Sequence, residues 1–131
     1  MQYIGVDIIE IARIKKAIAR WGDRFLNRVY TESELKLYQK KPSSLAARFA
    51  SKEAVMKLLG TGKKGIGWRE IETLSHPGGK PLVNLYGRAQ TQAVKLGLKE
   101  VIISLSHSKE HAIAFVAGET EEKPEPRPTA P

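Results

Sequence analysis

The sequence predicts an α+β protein, a small antiparallel sheet packed with one long core helix. Four stretches predict it. Residues 43–60, SSLAARFASKEAVMKLLG, are apolar around much of a helical circumference, with Leu45, Phe49, Val55, Met56, Leu58, Leu59 and four alanines. A helix apolar on most sides belongs in a core. Residues 100–106 place Val101, Ile103 and Leu105 on one face and Ile102, Ser104 and Ser106 on the other. Residues 112–117 follow as a second strand, and Ser108-Lys109-Glu110 supplies a hairpin turn. Residues 1–9, MQYIGVDII, are rich in β-favouring residues and read as a further strand.

At 131 residues the chain forms one domain with a single modest core. No run of about 18 apolar residues is present, so no membrane span is expected, and no leader is expected ahead of the first strand. The absence of cysteine excludes disulfides and thiolate chemistry and suits a cytoplasmic setting. The net charge is +8. From residue 119 onward, four prolines and many charges predict a disordered Pro/Glu-rich tail over 119–131, leaving 1–118 as the folded domain. The tail holds four Glu against Lys123 and Arg127, which leaves twenty basic and ten acidic residues in the body. Such a body attracts polyanions: nucleic acid, a phosphorylated small molecule or an acidic protein. No helix-turn-helix, RNP or zinc-finger pattern supports the first, and aromatics are sparse at 7%.

The first strand contains Gly5, which permits close backbone approach, and Asp7, which breaks the apolar run. Residues 10–21 form an amphipathic helix, with Ile11, Ile14, Ala17, Ile18 and Trp21 at helical spacing and Arg13, Lys15, Lys16 and Arg20 on the rest of its surface. A short basic segment follows, with Arg24, Phe25, Leu26 and Arg28. Thr31-Glu32-Ser33-Glu34 fits a capping box and starts a helix running to about Lys40. Pro42 separates it from the core helix, which Ser43 or Ser44 would cap and Gly60 would end. Residues 61–67, TGKKGIG, make a connector rich in glycine and lysine without P-loop spacing. Residues 68–74 and 82–86 read as strands around the turn 76–81, and residues 87–96 as a helix ended by Gly97.

Charge inside the core helix is the chemical signal. Arg48, Lys52, Glu53 and Lys57 interrupt it. Glu53 and Lys57 share a face, with Phe49 one turn earlier. A carboxylate on a mostly buried helix needs a cation, a metal or water as partner. Asp7 and Glu53, from different elements, could together hold a hard divalent ion such as Mg²⁺ beside phosphate oxygens. That arrangement suits phosphoryl chemistry. Ser106 and His107 lie at a strand end, but adjacent strand residues point to opposite faces and are poorly placed to act on each other. The three histidines have no zinc-site spacing.

Four motifs then carry a resemblance. Gly5-Val6-Asp7-Ile8, Arg48-Phe49-Ala50-Ser51-Lys52-Glu53-Ala54, Gly79-Lys80-Pro81 and Ser104-Leu105-Ser106-His107 resemble, in order and spacing, the holo-acyl-carrier-protein synthase family of small 4′-phosphopantetheinyl transferases. The similarity covers residues 1–118. The resemblance implies the 4′-phosphopantetheinyl transferase fold and transfer of the phosphopantetheine arm of coenzyme A to a serine of an apo acyl carrier protein. It further implies Mg²⁺, release of adenosine 3′,5′-bisphosphate, a role in fatty acid biosynthesis, and a homotrimer binding coenzyme A between subunits. On this implication Asp7 and Glu53 bind the metal and, with Lys57, serve catalysis. Arg48, Lys57 and Gly60 contact coenzyme A as phosphate or backbone contacts. Gly79, Lys80, Pro81, Ser106 and His107 wall the adenosine and its 3′-phosphate. Arg13, Lys16 and Arg20 form the carrier-docking surface. No nucleic-acid or membrane partner is implied. Glu53, Asp7 or a metal-bound water could each be the general base.

Overall fold

The computed structural model describes residues 2–61 and 65–120. The order is β1 (Gln2–Glu10), α1 (Ile11–Trp21), α2 (Asp23–Val29), α3 (Glu32–Tyr38), α4 (Pro42–Leu59), a 3₁₀ turn (Trp68–Glu70), β2 (Ile71–Ser75), β3 (Pro81–Leu85), α5 (Gly87–Leu96), β4 (Leu98–His107) and β5 (His111–Thr120). It is the expected α+β architecture. One antiparallel sheet has the order β1-β5-β4, and a second is the hairpin β2-β3.

The long helix is the centre of the core. Along α4, Leu45, Ala46, Ala50, Ala54 and Val55 are fully buried, against Ala112, Ala114 and Val116 of β5. Contrary to the expectation from the sequence, neither Ser43 nor Ser44 caps this helix; Lys41 takes the N-cap position without a side-chain bond and Pro42 occupies the first turn. Proline suits that place because its missing N–H would have no helical partner there. The missing cap costs about 1 kcal/mol. Each fully buried aliphatic side chain contributes roughly 1.5–3 kcal/mol, so packing outweighs it. Gly60 ends α4 in the left-handed region (φ 74), where its N–H reaches Lys57 O at 3.1 Å.

Gly5 sets the distance between β1 and α4. A Cβ on it would lie 2.0 Å from the Ala54 carbonyl oxygen and 3.0 Å from the Leu58 nitrogen. Both are helix backbone atoms that cannot rotate away. Gly5→Ala is therefore expected to destabilise the fold by about 3 kcal/mol, the upper part of the overpacking range, and to lower Tm by roughly 10 °C. Thermal unfolding followed by circular dichroism checks this; an unchanged Tm would refute the close approach.

Local differences from the sequence reading have local causes. The segment after Gly22 is a seven-residue helix, α2, too short to show a periodicity and preceded by no capping side chain. Residues 68–74 are not one strand: Trp68–Glu70 forms a 3₁₀ turn before β2, which explains their irregular apolar period. The helix begun by the Thr31–Glu34 capping box is present, with both reciprocal bonds made, and stops at Tyr38. β5 runs to Thr120, two residues past the expected end of the body, because Glu119 pairs with Gln2 and Thr120 with Leu98. The remainder of the expected tail, 121–131, and residues 62–64 of the glycine-rich connector lie outside the described residues.

Candidate functional site

Strand alternation puts Gly5, Asp7 and Ile9 on the face of β1 that turns toward α4, while Ile4, Val6 and Ile8 point outward. Because Gly5 lets the strand touch the helix, Asp7 comes beside the last two turns of α4. There Lys57 Nζ donates to Asp7 Oδ1 at 2.9 Å and to Val6 O at 3.0 Å. The Asp7 side chain is 14% exposed and that of Lys57 56%. Glu53, half-buried one helical turn before Lys57, adds its charge to the same ammonium. The hydrogen bond that Lys57 donates to Asp7, opposed by burial, and then the charges of Asp7 and Glu53 raise Lys57 above the usual lysine value. Three sequence-predicted site residues thus meet. Lys57, which shares a helix face with Glu53, bridges to Asp7, fifty residues away in sequence.

Phe49, one helical turn before Glu53, belongs to an aromatic group. Its ring stacks on Trp68 with centroids 4.8 Å apart and lies 6.5 Å from Phe25. Arg48, by contrast, points into the protein. It is 6% exposed, its guanidinium sits 3.8 Å from the Tyr38 ring centroid, and it donates to Thr73 O (3.3 Å) and Ser75 Oγ (2.8 Å). Arg48 therefore braces the end of β2, directly before the His76–Lys80 turn. That turn is closed by His76 N–H to Lys80 O (2.8 Å) and Gly79 N–H to His76 O (2.7 Å). Lys80 and Pro81 stand at a cleft of ≈ 650 Å³ between β3 and β4, with Asn84, Tyr86, Val94 and Lys99 among its other walls.

Within one chain the remaining motif residues stay apart from this cleft, whose β4 wall is residues 98–103. Ser106 and His107 end β4, in register with Ile113 and Ala112. His107 lies on the same sheet face as Asp7, with β5 between their strands, and Ser106 lies on the opposite face beside Ile113 and Phe115. Arg13, Lys16 and Arg20 are all exposed on α1.

Sequence reasoning missed a buried polar cluster directly behind Glu53. Lys52 is fully buried and donates to Glu34 Oε1 (2.7 Å), to Trp68 O (3.1 Å) and to Ile71 O. Glu34, beyond its capping role, also accepts from Thr73 N at 2.9 Å. Glu72 accepts from Thr31 Oγ1 (2.6 Å), Tyr86 Oη (2.9 Å) and Asn84 Nδ2 (3.2 Å). Burial pushes the Lys52 ammonium below its ordinary value, opposed by Glu34 and, less, Glu72. Burial would raise Glu72, but the hydrogen bonds from Thr31, Asn84 and Tyr86 and the charge of Lys52 bring it below the usual carboxylate value. One signal pointed here: Lys52 falls on the same helical stripe as Leu45, Phe49, Met56 and Leu59, where a cation must be buried or the stripe must break.

Two carboxylates, one from a strand and one from a helix, thus share a single ammonium in this small α+β domain. The chain belongs to the 4′-phosphopantetheinyl transferase superfamily, whose family model matches residues 3–116. It is 56% identical over 119 residues to a protein of Dehalococcoides mccartyi called holo-[acyl-carrier-protein] synthase, covering 91% of this chain and 99% of that one. A protein of Herpetosiphon aurantiacus with the same name is 51% identical over 125 residues, 90% of this chain and 98% of the other. Among solved structures, the Helicobacter pylori holo-[acyl-carrier-protein] synthase in complex with coenzyme A matches with a TM-score of 0.80 and 35% identity, over 88% of this chain and 99% of that one. The Bacillus anthracis enzyme in complex with CoA (3′,5′-ADP) matches with a TM-score of 0.74 and 34% identity, over 91% and 96%.

Proposed function

We propose that the chain transfers 4′-phosphopantetheine from coenzyme A to a serine hydroxyl of apo acyl carrier protein, with Mg²⁺, releasing adenosine 3′,5′-bisphosphate. The observation that carries the reading is the meeting of Asp7, Glu53 and Lys57 where α4 packs on β1. The names of the relatives and the coenzyme A in two of the matching structures support the same substrates.

The donor set fits a magnesium ion. Among the described residues no three His, Cys, Asp or Glu side chains gather as a ligand group, so the protein offers the two carboxylates of Asp7 and Glu53. Mg²⁺ suits such a site because it binds through one or two carboxylates and takes the rest of its shell from water and substrate phosphates. When bound, the ion supplies neutralisation of pyrophosphate charge. This chain does the rest. Lys57, an exposed ammonium beside both carboxylates, pairs with a phosphate oxygen and holds the pyrophosphate. The carrier serine Oγ forms a bond to the phosphorus that bears the pantetheine arm. The bond from that phosphorus to the bridging oxygen breaks, and adenosine 3′,5′-bisphosphate leaves with the electron pair. The serine proton passes to an oxygen base at the site, for which the Asp7 and Glu53 carboxylates are the protein's candidates.

Gly60, closing α4, and the Gly79-Lys80-Pro81 turn bind coenzyme A, the latter at the mouth of the β3–β4 cleft. Ser106 and His107 complete the adenosine side from a neighbouring subunit, and Arg48 acts from behind by bracing the turn. A neighbour is motivated by the outer sheet face, where Ile4, Val6, Ile8, Ile102, Ile113 and Phe115 are 39–63% exposed. A contiguous apolar face of that kind marks an association surface, and the homotrimer implied by the resemblance is the assembly proposed. Light scattering that returned the mass of a single chain would overturn it. The setting proposed is the cytoplasm, with fatty acid biosynthesis as the process; no helix among the described residues is long and apolar enough to cross a membrane.

The direct test incubates the chain with coenzyme A, Mg²⁺ and an apo acyl carrier protein and follows the carrier's mass. Addition of one phosphopantetheine group is expected; an unchanged carrier, beside an active control enzyme, would refute the reading. The exposed basic face of α1 is proposed to meet the acidic carrier. Arg13→Glu should raise KM for the carrier roughly tenfold, as expected when a complementary charge is reversed, while KM for coenzyme A stays near wild type. Equal increases in both would remove the docking role.

A further inference from the structure

We propose that Trp21 is the apolar anchor by which the acidic carrier protein is recognised, held ready by Arg20 and Arg24. The inference rests on the carrier reading above and adds to it a residue that determines partner specificity. Trp21 is the last residue of α1 and is 49% exposed. The chain turns sharply at Gly22 (φ 55) and returns Arg24, on α2, to the same ring. The Arg20 guanidinium lies 4.8 Å and that of Arg24 6.0 Å from the ring centroid.

The surface is thus apolar and cationic at one point. Between Ile11 and Val29 six basic residues face a single acid, Asp23, so the partner it fits is a protein with carboxylates around a small apolar patch. Tryptophan with flanking arginines is the composition that concentrates binding energy at protein interfaces. Cation–π contact with the ring restricts the two guanidiniums before any partner arrives, so less side-chain freedom is lost when each meets a carboxylate. Position also fits. Trp21 is roughly 12 Å beyond Arg13 at about 1.5 Å per residue along the helix, and α1 begins where β1, the strand of Asp7, ends. A carrier lying along α1 therefore reaches from Trp21 toward the carboxylate site.

The test compares wild type, Trp21→Ala and Trp21→Phe in steady-state modification of apo acyl carrier protein across a series of salt concentrations. Trp21→Ala should raise KM for the carrier about tenfold, leave KM for coenzyme A and Tm unchanged, and keep the salt dependence of kcat/KM, since no charge is removed. Trp21→Phe should recover most of the loss. Arg24→Gln should instead flatten the salt dependence. A carrier KM for Trp21→Ala within twofold of wild type, in an assay where wild type is active, overturns this proposal alone. A wild type that modifies no carrier overturns it together with the proposed function. A change of oligomeric mass on Trp21→Ala assigns the patch to a second copy of the chain, and loss of binding to a single-stranded oligonucleotide assigns it to nucleic acid; either result overturns the carrier anchor.

Discussion

Asp7→Ala and Glu53→Ala are each expected to lower turnover by at least about 10²–10³-fold, the scale seen when one preorganised electrostatic partner is lost, while Tm stays close to wild type. The two parts of this expectation have separate grounds. Asp7 pairs with a lysine that is 56% exposed, and ion pairs open to water add little to stability because solvent screens them and both side chains must be ordered. Glu53 faces the same junction rather than the alanine-lined interior of α4. Removing either carboxylate therefore leaves the packing of α4 on β1 intact. On the proposed mechanism turnover needs both, because Lys57 alone leaves the site cationic without an oxygen base or a pair of oxygen ligands. Steady-state kinetics of carrier modification with varied Mg²⁺, beside thermal unfolding of the same preparations, checks it. Activity within tenfold of wild type in both variants would refute the metal and base assignments. A large fall in Tm would show that the carboxylates hold the fold instead.

Lys52→Met should show the opposite signature, a loss of stability of roughly 3–5 kcal/mol, which is what removing one partner of a buried ion pair costs. Lys52 and Glu34 are both fully buried and 2.7 Å apart. Methionine is close in length and refills the space, so packing changes little. What remains is a buried Glu34 carboxylate without its cation, with Glu72 nearby. The double variant Lys52→Met with Glu34→Gln should recover a substantial part of the loss. It removes both charges, and the glutamine oxygen still accepts one of the two backbone donors, Thr31 N or Thr73 N, that Glu34 serves. Denaturant unfolding of the four proteins closes the cycle. Additive effects would mean that the pair does not couple and that Lys52 is buried for another reason.

These two lysines, five residues apart on one helix, show what could and could not be read from the chain. The helix itself was legible, because a stretch of eighteen residues that is apolar around most of a helical circumference and ends in glycine is a local pattern. So were β1, the β4–β5 hairpin and the capping box at Thr31, each encoded within a few residues. Asp7 and Glu53 stood out because a carboxylate in an apolar strand or helix violates the local pattern. The partners did not. Lys57 fits a surface ion pair with Glu53 by spacing, yet it reaches Asp7. Lys52 looks like one more charge in the run, yet it is the most enclosed cation described. Arg48 looks like a phosphate ligand by motif position, yet its guanidinium lies buried on Tyr38 and donates to Thr73 and Ser75.

What the sequence determined by itself was therefore the type and order of the main elements, the basic character of the body and the candidates proposed to carry the chemistry. Which of those residues touch was decided only in three dimensions. Asp7 and Lys57 are fifty residues apart, and Glu34 and Lys52 eighteen. Periodicity reports only on neighbours within about one helical turn or one strand step. The contacts between elements follow from how closely β1 and β5 approach α4. That approach depends on the missing side chain of Gly5 and on the alanines of the helix, and it becomes visible only when strand and helix are placed together.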